Sequence, residues 1–199
     1  MSWALLVLLF EAPAHADEGL HAQLLFGFDS FAVHDPLPMR GGALHVGAGS
    51  FGPAAPPMEL HVGASILPRF GLDLGLGLRW ATLHEDPEVV RHDADVWLAA
   101  RVWPWTAAAP IAPFVDLGGG VSSRSLTREP CVIACPDRGA ELPRITRALL
   151  VAGVGAEWYP GASGAHLVTR LDARAALPAE RVGTDVRVTG TVGVGWRWR

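Results

Sequence analysis

Lysine and asparagine are absent from the sequence, and all sixteen basic residues are arginine. A GC-rich genome accounts for such a bias, yet an ordinary soluble surface mixes lysine with glutamate. Long apolar runs are missing too. Half of the 199 residues are hydrophobic, but the longest unbroken stretch, residues 3–10, is far shorter than the ~18–20 residues of a transmembrane helix. There is no excess of positive charge: the formal net charge is −4, which removes the electrostatic footprint of a nucleic-acid binder. Cysteine occurs only twice, at Cys131 and Cys135 in "CVIAC". A metal site would need further ligands nearby at suitable spacing, and the sequence offers none. No cofactor is expected.

What the sequence has is alternation. In "RFGLDLGLGLRWATL", Phe70, Leu72, Leu74, Leu76, Leu78 and Trp80 share one face, and Gly71, Asp73, Gly75, Gly77, Arg79 and Ala81 share the other. A period of two without a slip is a strand, not a helix. The same rule finds strands around residues 44–48, 59–66, 111–121, 166–175 and 186–197, with noisier ones at 93–103 and 147–159. About eight strands result, each near the ~9–11 residues that a tilted strand needs to cross a bilayer. Residues 21–33 also read as a strand, but a ninth would put the termini on opposite sides. We therefore read 17–42 as a lead-in and 43–199 as the barrel, with ten strands as the alternative. Residues 1–16 read as a signal peptide, with Ala14-His15-Ala16 as the cleavage pattern. In an exported chain an isolated cysteine pair implies a disulfide, Cys131–Cys135.

The connections alternate in length. Those near 67–69, 106–110 and 160–164 are tight and rich in proline or glycine, whereas 52–57, 84–92, 123–146 and 178–184 are longer. An up-and-down antiparallel barrel in an outer membrane has this asymmetry, with short periplasmic turns and longer external loops.

Alternation alone does not say which face is inside. Three features put the apolar face outside. Glycine and alanine crowd the polar face, where small residues leave room for long neighbours inside a narrow barrel. The polar face carries both signs in near balance: Arg79, Arg101, Arg147, Arg170, Arg174, Arg187 and Arg197 against Glu59, Asp73, Asp95, Asp116, Glu157 and Asp172. Charges removed from water need partners. Lastly, Phe70, Trp103, Trp105, Trp158, Tyr159, Trp196 and Trp198 fall beside short turns or the chain end, at one depth, as an interfacial aromatic belt does. Trp80 falls at the opposite rim.

The alternating segment Val192, Val194, Trp196, Trp198 resembles the C-terminal signal of outer-membrane barrels, with Arg199 following the aromatic. As a class, the chain resembles the small OmpA/OmpX-type barrels. The resemblance implies an all-β transmembrane barrel reached through a cleaved signal peptide. Its partners would be outer-membrane lipid and lipopolysaccharide, with the barrel-assembly machinery during biogenesis. Eight strands leave an interior filled by side chains, so a general porin, which needs ~16 strands, is not expected.

The leading expectation is a structural or surface-interaction barrel, not an enzyme. One alternative is a lipid A-modifying acyltransferase or deacylase, for which Ser122, Ser123, Ser125, His84 and Asp86 would lie near the external rim and His166 near the periplasmic turn. Acyl transfer needs a nucleophile, a base and an orienting carboxylate in reach of one another, and the spacing here matches no such motif. A soluble lipocalin-like binder is the second alternative. His45, Glu59 and His61 are expected to gather in the lumen, as a metal site or as a hydrogen-bonded cluster. The loop "HEDPEVVRHDAD" offers His84, Glu85, Asp86, Glu88, His92 and Asp93 to a divalent cation or to solvent. The long loop at 123–146 is where a binding function would reside, and its ligand cannot be read from composition.

Overall fold

The computed structural model describes residues 19–33, 35–39, 42–46, 57–82, 89–105, 109–128, 144–161, 163–178 and 184–198. Every regular element is a strand: β1 (Gly19–Val33), β2 (Asp35–Met39), β3 (Gly42–Val46), β4 (Met58–Leu67), β5 (Phe70–Thr82), β6 (Val89–Val102), β7 (Ile111–Arg128), β8 (Ile145–Trp158), β9 (Ala165–Ala176) and β10 (Asp185–Arg197). Eight of them close an antiparallel barrel in the order β1-β10-β9-β8-β7-β6-β5-β4. Strand β1 makes the seam, pairing with β10 through His21–Arg197 and with β4 through His21–Gly63. Closure leaves no strand of the barrel with an unpaired edge, which is the condition for a sheet surrounded by lipid.

This topology corrects the expected lead-in. Residues 19–33 are the first barrel strand. The segment at 44–48 is not in the barrel, because β3 pairs only with β2 in a separate two-stranded sheet. The count stays at eight, since one strand enters as another leaves. The β4–β5, β6–β7 and β8–β9 connections join strand ends at one rim, with the start of β1 and the end of β10, and the two longest connections, 34–57 and 129–144, join strand ends at the other, with 83–88 and 177–184.

The apolar face is outside. Leu74, Leu98, Leu117, Val154, Leu171 and Val192 are 45–69% exposed, the inverse of a soluble fold, where such residues fill the core. The interior holds polar and charged side chains, together with two small apolar clusters. Leu25, Trp103, Ala112, Phe114 and Val168 form one, and Trp97, Ala99, Leu149, Val151 and Ala176 form the other.

Inward glycines make this packing possible. A Cβ on Gly75 would lie 2.2 Å from the Trp97 ring, and one on Gly195 would lie 2.3 Å from His166 Nε2. In both cases the large side chain belongs to the residue directly across the ladder. The Gly164 φ of +83° sits in the tight β8–β9 turn, where its carbonyl accepts the Arg197 backbone N–H at 3.0 Å.

Gly75→Ala should therefore destabilise the barrel by about 1–3 kcal/mol through overpacking. Gly161→Ala, with open space around it, should not. The denaturant midpoint of the folded band on unboiled gels separates them.

Candidate functional site: the ion-paired lumen

Thirteen charged lumen residues are expected from the sequence pattern, and the structure buries all of them inside. It adds Arg124, Asp93 and Asp185, giving, among the described residues, eight arginines and eight carboxylates at 0–4% exposure. Arg124 and Asp185 lie beyond the ends of the expected strands, on parts of β7 and β10 that continue the same alternation, and Asp93, the first residue of an expected strand, is expected instead to belong to the charged loop.

At the short-turn rim, Glu157 is the hub. It accepts from Gln23 Nε2 at 2.7 Å, Arg101 Nη1 at 3.0 Å, Arg197 Nη2 at 2.8 Å and the Tyr159 hydroxyl at 2.8 Å. Burial, followed by the neighbouring Glu157 charge, pushes the Tyr159 phenol well above its ordinary pKa, so it remains a donor. His166 Nδ1 faces the Gly164 carbonyl at 3.1 Å, which makes Nδ1 the donor, and Nε2 meets Gln23 at 3.2 Å.

At mid-height, Arg101 donates from Nε to Asp116 at 2.9 Å and from Nη2 to Asp73 at 2.8 Å. Arg170 reaches Asp172, Asp116 and Asp73. Arg174 donates to Glu59 at 2.6 Å and to Asp172 at 2.8 Å, and its guanidinium lies 4.2 Å from the Trp97 ring centre. His61 bridges Asp73 at 2.7 Å and Glu59 at 3.2 Å, and His21 meets Asp73 at 3.3 Å.

Toward the long-loop rim, Asp95 takes Arg79 at 2.7 Å and Arg187 at 3.2 Å. Asp93 takes Arg124 at 3.0 Å, and Asp185 joins Arg124 to Arg147. Arg187 and Arg174 are direct ladder partners, and Asp95 lies between them, at 3.2 Å from Arg187 and 3.6 Å from Arg174, so a shared carboxylate offsets the two like charges.

The other expected positions divide. Glu59 and His61 come together, but their contacts are Arg174 and Asp73, and His45 lies on β3, outside the barrel. Ser122 faces inward and accepts from Arg187 at 3.4 Å. Of the aromatic belt, Trp105, Trp158, Trp196 and Trp198 are 44–51% exposed on the outer wall, and Phe70 is half-buried. Trp103 and Tyr159 depart from the belt. Trp103 is 1% exposed, because it shares the inward parity of Arg101, two residues before it. Tyr159 shares that of Glu157. Arg197 lies over both rings, at 5.4 and 5.3 Å, so these two aromatics cover the lumen instead of facing outward. His84, Glu85, Asp86, Glu88, Cys131 and Cys135 lie outside the described residues, and so does the Trp80 side chain.

No protein-family model matches the sequence, and no curated protein matches it. Solved structures do match in shape. Neisserial surface protein A superposes with a TM-score of 0.56 at 10% identity, over 91% of this chain and 97% of that one. The outer membrane protein OprG of Pseudomonas aeruginosa gives 0.55 at 10% identity, over 92% and 97%. The N-terminal β-barrel domain of Pseudomonas aeruginosa OprF gives 0.53 at 12% identity, over 92% and 98%. This is the fold of the small eight-stranded outer-membrane barrels. At such identities the likeness is one of fold, and the lumen contacts above are this chain's own.

Arg101→Met should be among the most damaging single substitutions. It leaves Asp73, Asp116 and Glu157 short of a buried counter-charge, at a cost of about 3–5 kcal/mol. Pairing it with Asp116→Leu should recover part of the loss. Urea unfolding of the two variants in lipid vesicles checks both statements, and no recovery in the double variant would contradict the pairing.

Proposed function

We propose that this chain is an outer-membrane barrel of a Gram-negative-type cell, with a structural or surface-interaction role and no catalytic activity. The observation that carries the reading is the pairing of an apolar outer wall with a neutralised, charge-filled lumen. A strand face whose leucines and valines are 37–69% exposed suits hydrocarbon, and an interior that holds, among the described residues, eight arginines and eight carboxylates suits none of the ligands of an apolar cavity. That contrast weighs against a soluble lipocalin-like binder. In this setting the short turns and the exposed Trp105, Trp158, Trp196 and Trp198 lie at the periplasmic interface, and the longer connections face outward. Export through a cleaved signal peptide, handling by the barrel-assembly machinery and contact with lipopolysaccharide belong to the same reading.

A lumen crossed by Arg101, Arg170 and Arg174 supports a plugged barrel in preference to a general porin. The lipid A-modifying alternative needs a nucleophile beside its base. His21, His61 and His166 are instead occupied by Asp73, Glu59, Gln23 and Gly164, and His92, which faces Ser125 across the β6–β7 ladder, has the neighbouring Asp93 carboxylate turned into the lumen toward Arg124. Surface interaction would reside in the external connections, the part of the barrel least constrained by closure.

Cells expressing the full gene should carry the protein in the outer-membrane fraction, and its mobility on SDS gels should change on boiling. Their lipid A should keep its mass. A soluble periplasmic protein with unchanged mobility would overturn the membrane reading, and a lipid A mass shift would overturn the non-catalytic one.

A further inference from the structure

The outer wall is apolar around the barrel at mid-height, and across β5 to β8 it changes character one step toward the long-loop rim. The ladder Leu76–Val96–Val121–Ala148 is apolar. The next outward row is Leu78–Ala94–Ser123–Thr146, and the row beyond it pairs His92 with Ser125. Arg144, two residues before Thr146 and of the same parity, faces outward beside them. The small Ala94 leaves a concavity of about 270 Å³ bordered by Leu78, His92, Ser123, Ser125 and Arg144. Arg79 and Asp93 close its floor from the lumen side. The Asp93 carboxylate is held there by Arg124 at 3.0 Å and Arg187 at 3.5 Å, so the floor acid is already neutralised.

Arg144 differs from the eight lumen arginines among the described residues, all of which meet carboxylates. Among the described residues, the hydrogen-bond partner of Arg144 is a neutral hydroxyl, Ser123 Oγ, which takes the Nε proton at 2.7 Å. That bond engages the Nε–H of an exposed side chain and leaves the two Nη groups as the remaining donors of the fork. A fork of N–H donors with hydroxyls and an imidazole around it is the chemistry that holds a phosphate. The depth, immediately above an apolar band, is where a lipid headgroup lies.

We propose that the Arg144–His92–Ser123–Ser125 concavity binds the phosphate of an anionic lipid on the outer wall. The proposal rests on the membrane reading above. Its shared chemistry, a lipid-borne phosphate, is offered by two sources: the phosphorylated glucosamine of lipid A and a glycerophospholipid. Arg144 supplies the charge and a bidentate fork, and Ser123 engages its Nε–H. Ser125 and His92 flank the anion, and Leu78 meets the first carbons of the lipid.

The test uses the full-length barrel in nonionic detergent, with diphosphoryl lipid A, phosphatidylglycerol or inorganic phosphate added separately, and counts retained lipid by native mass spectrometry. Heat-modifiability of each preparation is measured first. If the wild type fails that check, the membrane reading fails and not the site. In folded protein, Arg144→Ala should lower retention at least about tenfold, and Arg144→Lys, which keeps the charge but loses the fork, should fall between. Arg69→Ala, at an exposed position on the opposite rim, should retain lipid like the wild type. The lipid whose retention depends on Arg144 names the source. Equal retention by wild type and Arg144→Ala, or an effect of inorganic phosphate with neither lipid retained, would overturn the proposal.

Discussion

A charge taken out of bulk water has to find its counter-charge within the same enclosure, and in this barrel that requirement ties the strands together. Arg101 on β6 bonds Asp116 on β7, Asp73 on β5 and Glu157 on β8. Arg170 on β9 spans to Asp73 on β5, and Arg174 on β9 spans to Glu59 on β4. Arg101–Asp116 follows the β6–β7 ladder, whereas Arg101–Glu157, Arg170–Asp73 and Arg174–Glu59 join strands that are not neighbours in the sheet. Their net worth relative to a well-packed apolar core is small, because desolvation offsets much of the attraction. What they supply is discrimination. A slip of one residue in any ladder turns arginine and aspartate to the outer wall and leucine inward, so the matched set of eight and eight admits one register.

Packing follows from the same constraint. Eight strands enclose little volume, and sixteen charged side chains plus Trp97, Trp103 and Phe114 must share it. Glycine opposite the inward rings is the consequence, as at Gly75 beside Trp97 and Gly155 beside Phe114. The rule that inward means polar is therefore incomplete. Leu25, Leu149 and Val151 face inward because they fill the gaps beside those rings.

In β1 the inward positions are His21, Gln23, Leu25 and Gly27. Residues 21–33 read as a strand in the sequence and are set aside there only because a ninth strand would put the termini on opposite sides; the strand to remove from the count is the one at 44–48, whose described part, 44–46, belongs to the five-residue β3 outside the barrel. Trp103 and Tyr159 were legible from parity, two residues after the inward Arg101 and Glu157, and were misplaced because their depth alone suggested a belt. Arg124 and Asp185 required strand lengths that turn signals do not reveal, and Asp93 was masked by the acidic run around it, which reads as a loop although β6 begins at Val89. The thirteen other charges were legible because a period of two is unambiguous over ten residues. Their partners were not, since Arg101 and Glu157 are 56 residues apart in sequence and only closure of the barrel brings them together.

The account depends on which face of the sheet meets lipid, and that orientation can be read position by position. Single cysteines would be placed in turn at 117, 118, 150, 151, 171 and 172, in a background with Cys131 and Cys135 changed to serine. Each would be labelled with a small fluorophore and the barrel reconstituted in vesicles of brominated lipid. The account predicts strong quenching at 117, 150 and 171 and weak quenching at 118, 151 and 172, alternating with period two. The opposite alternation, or quenching without a period, would contradict it.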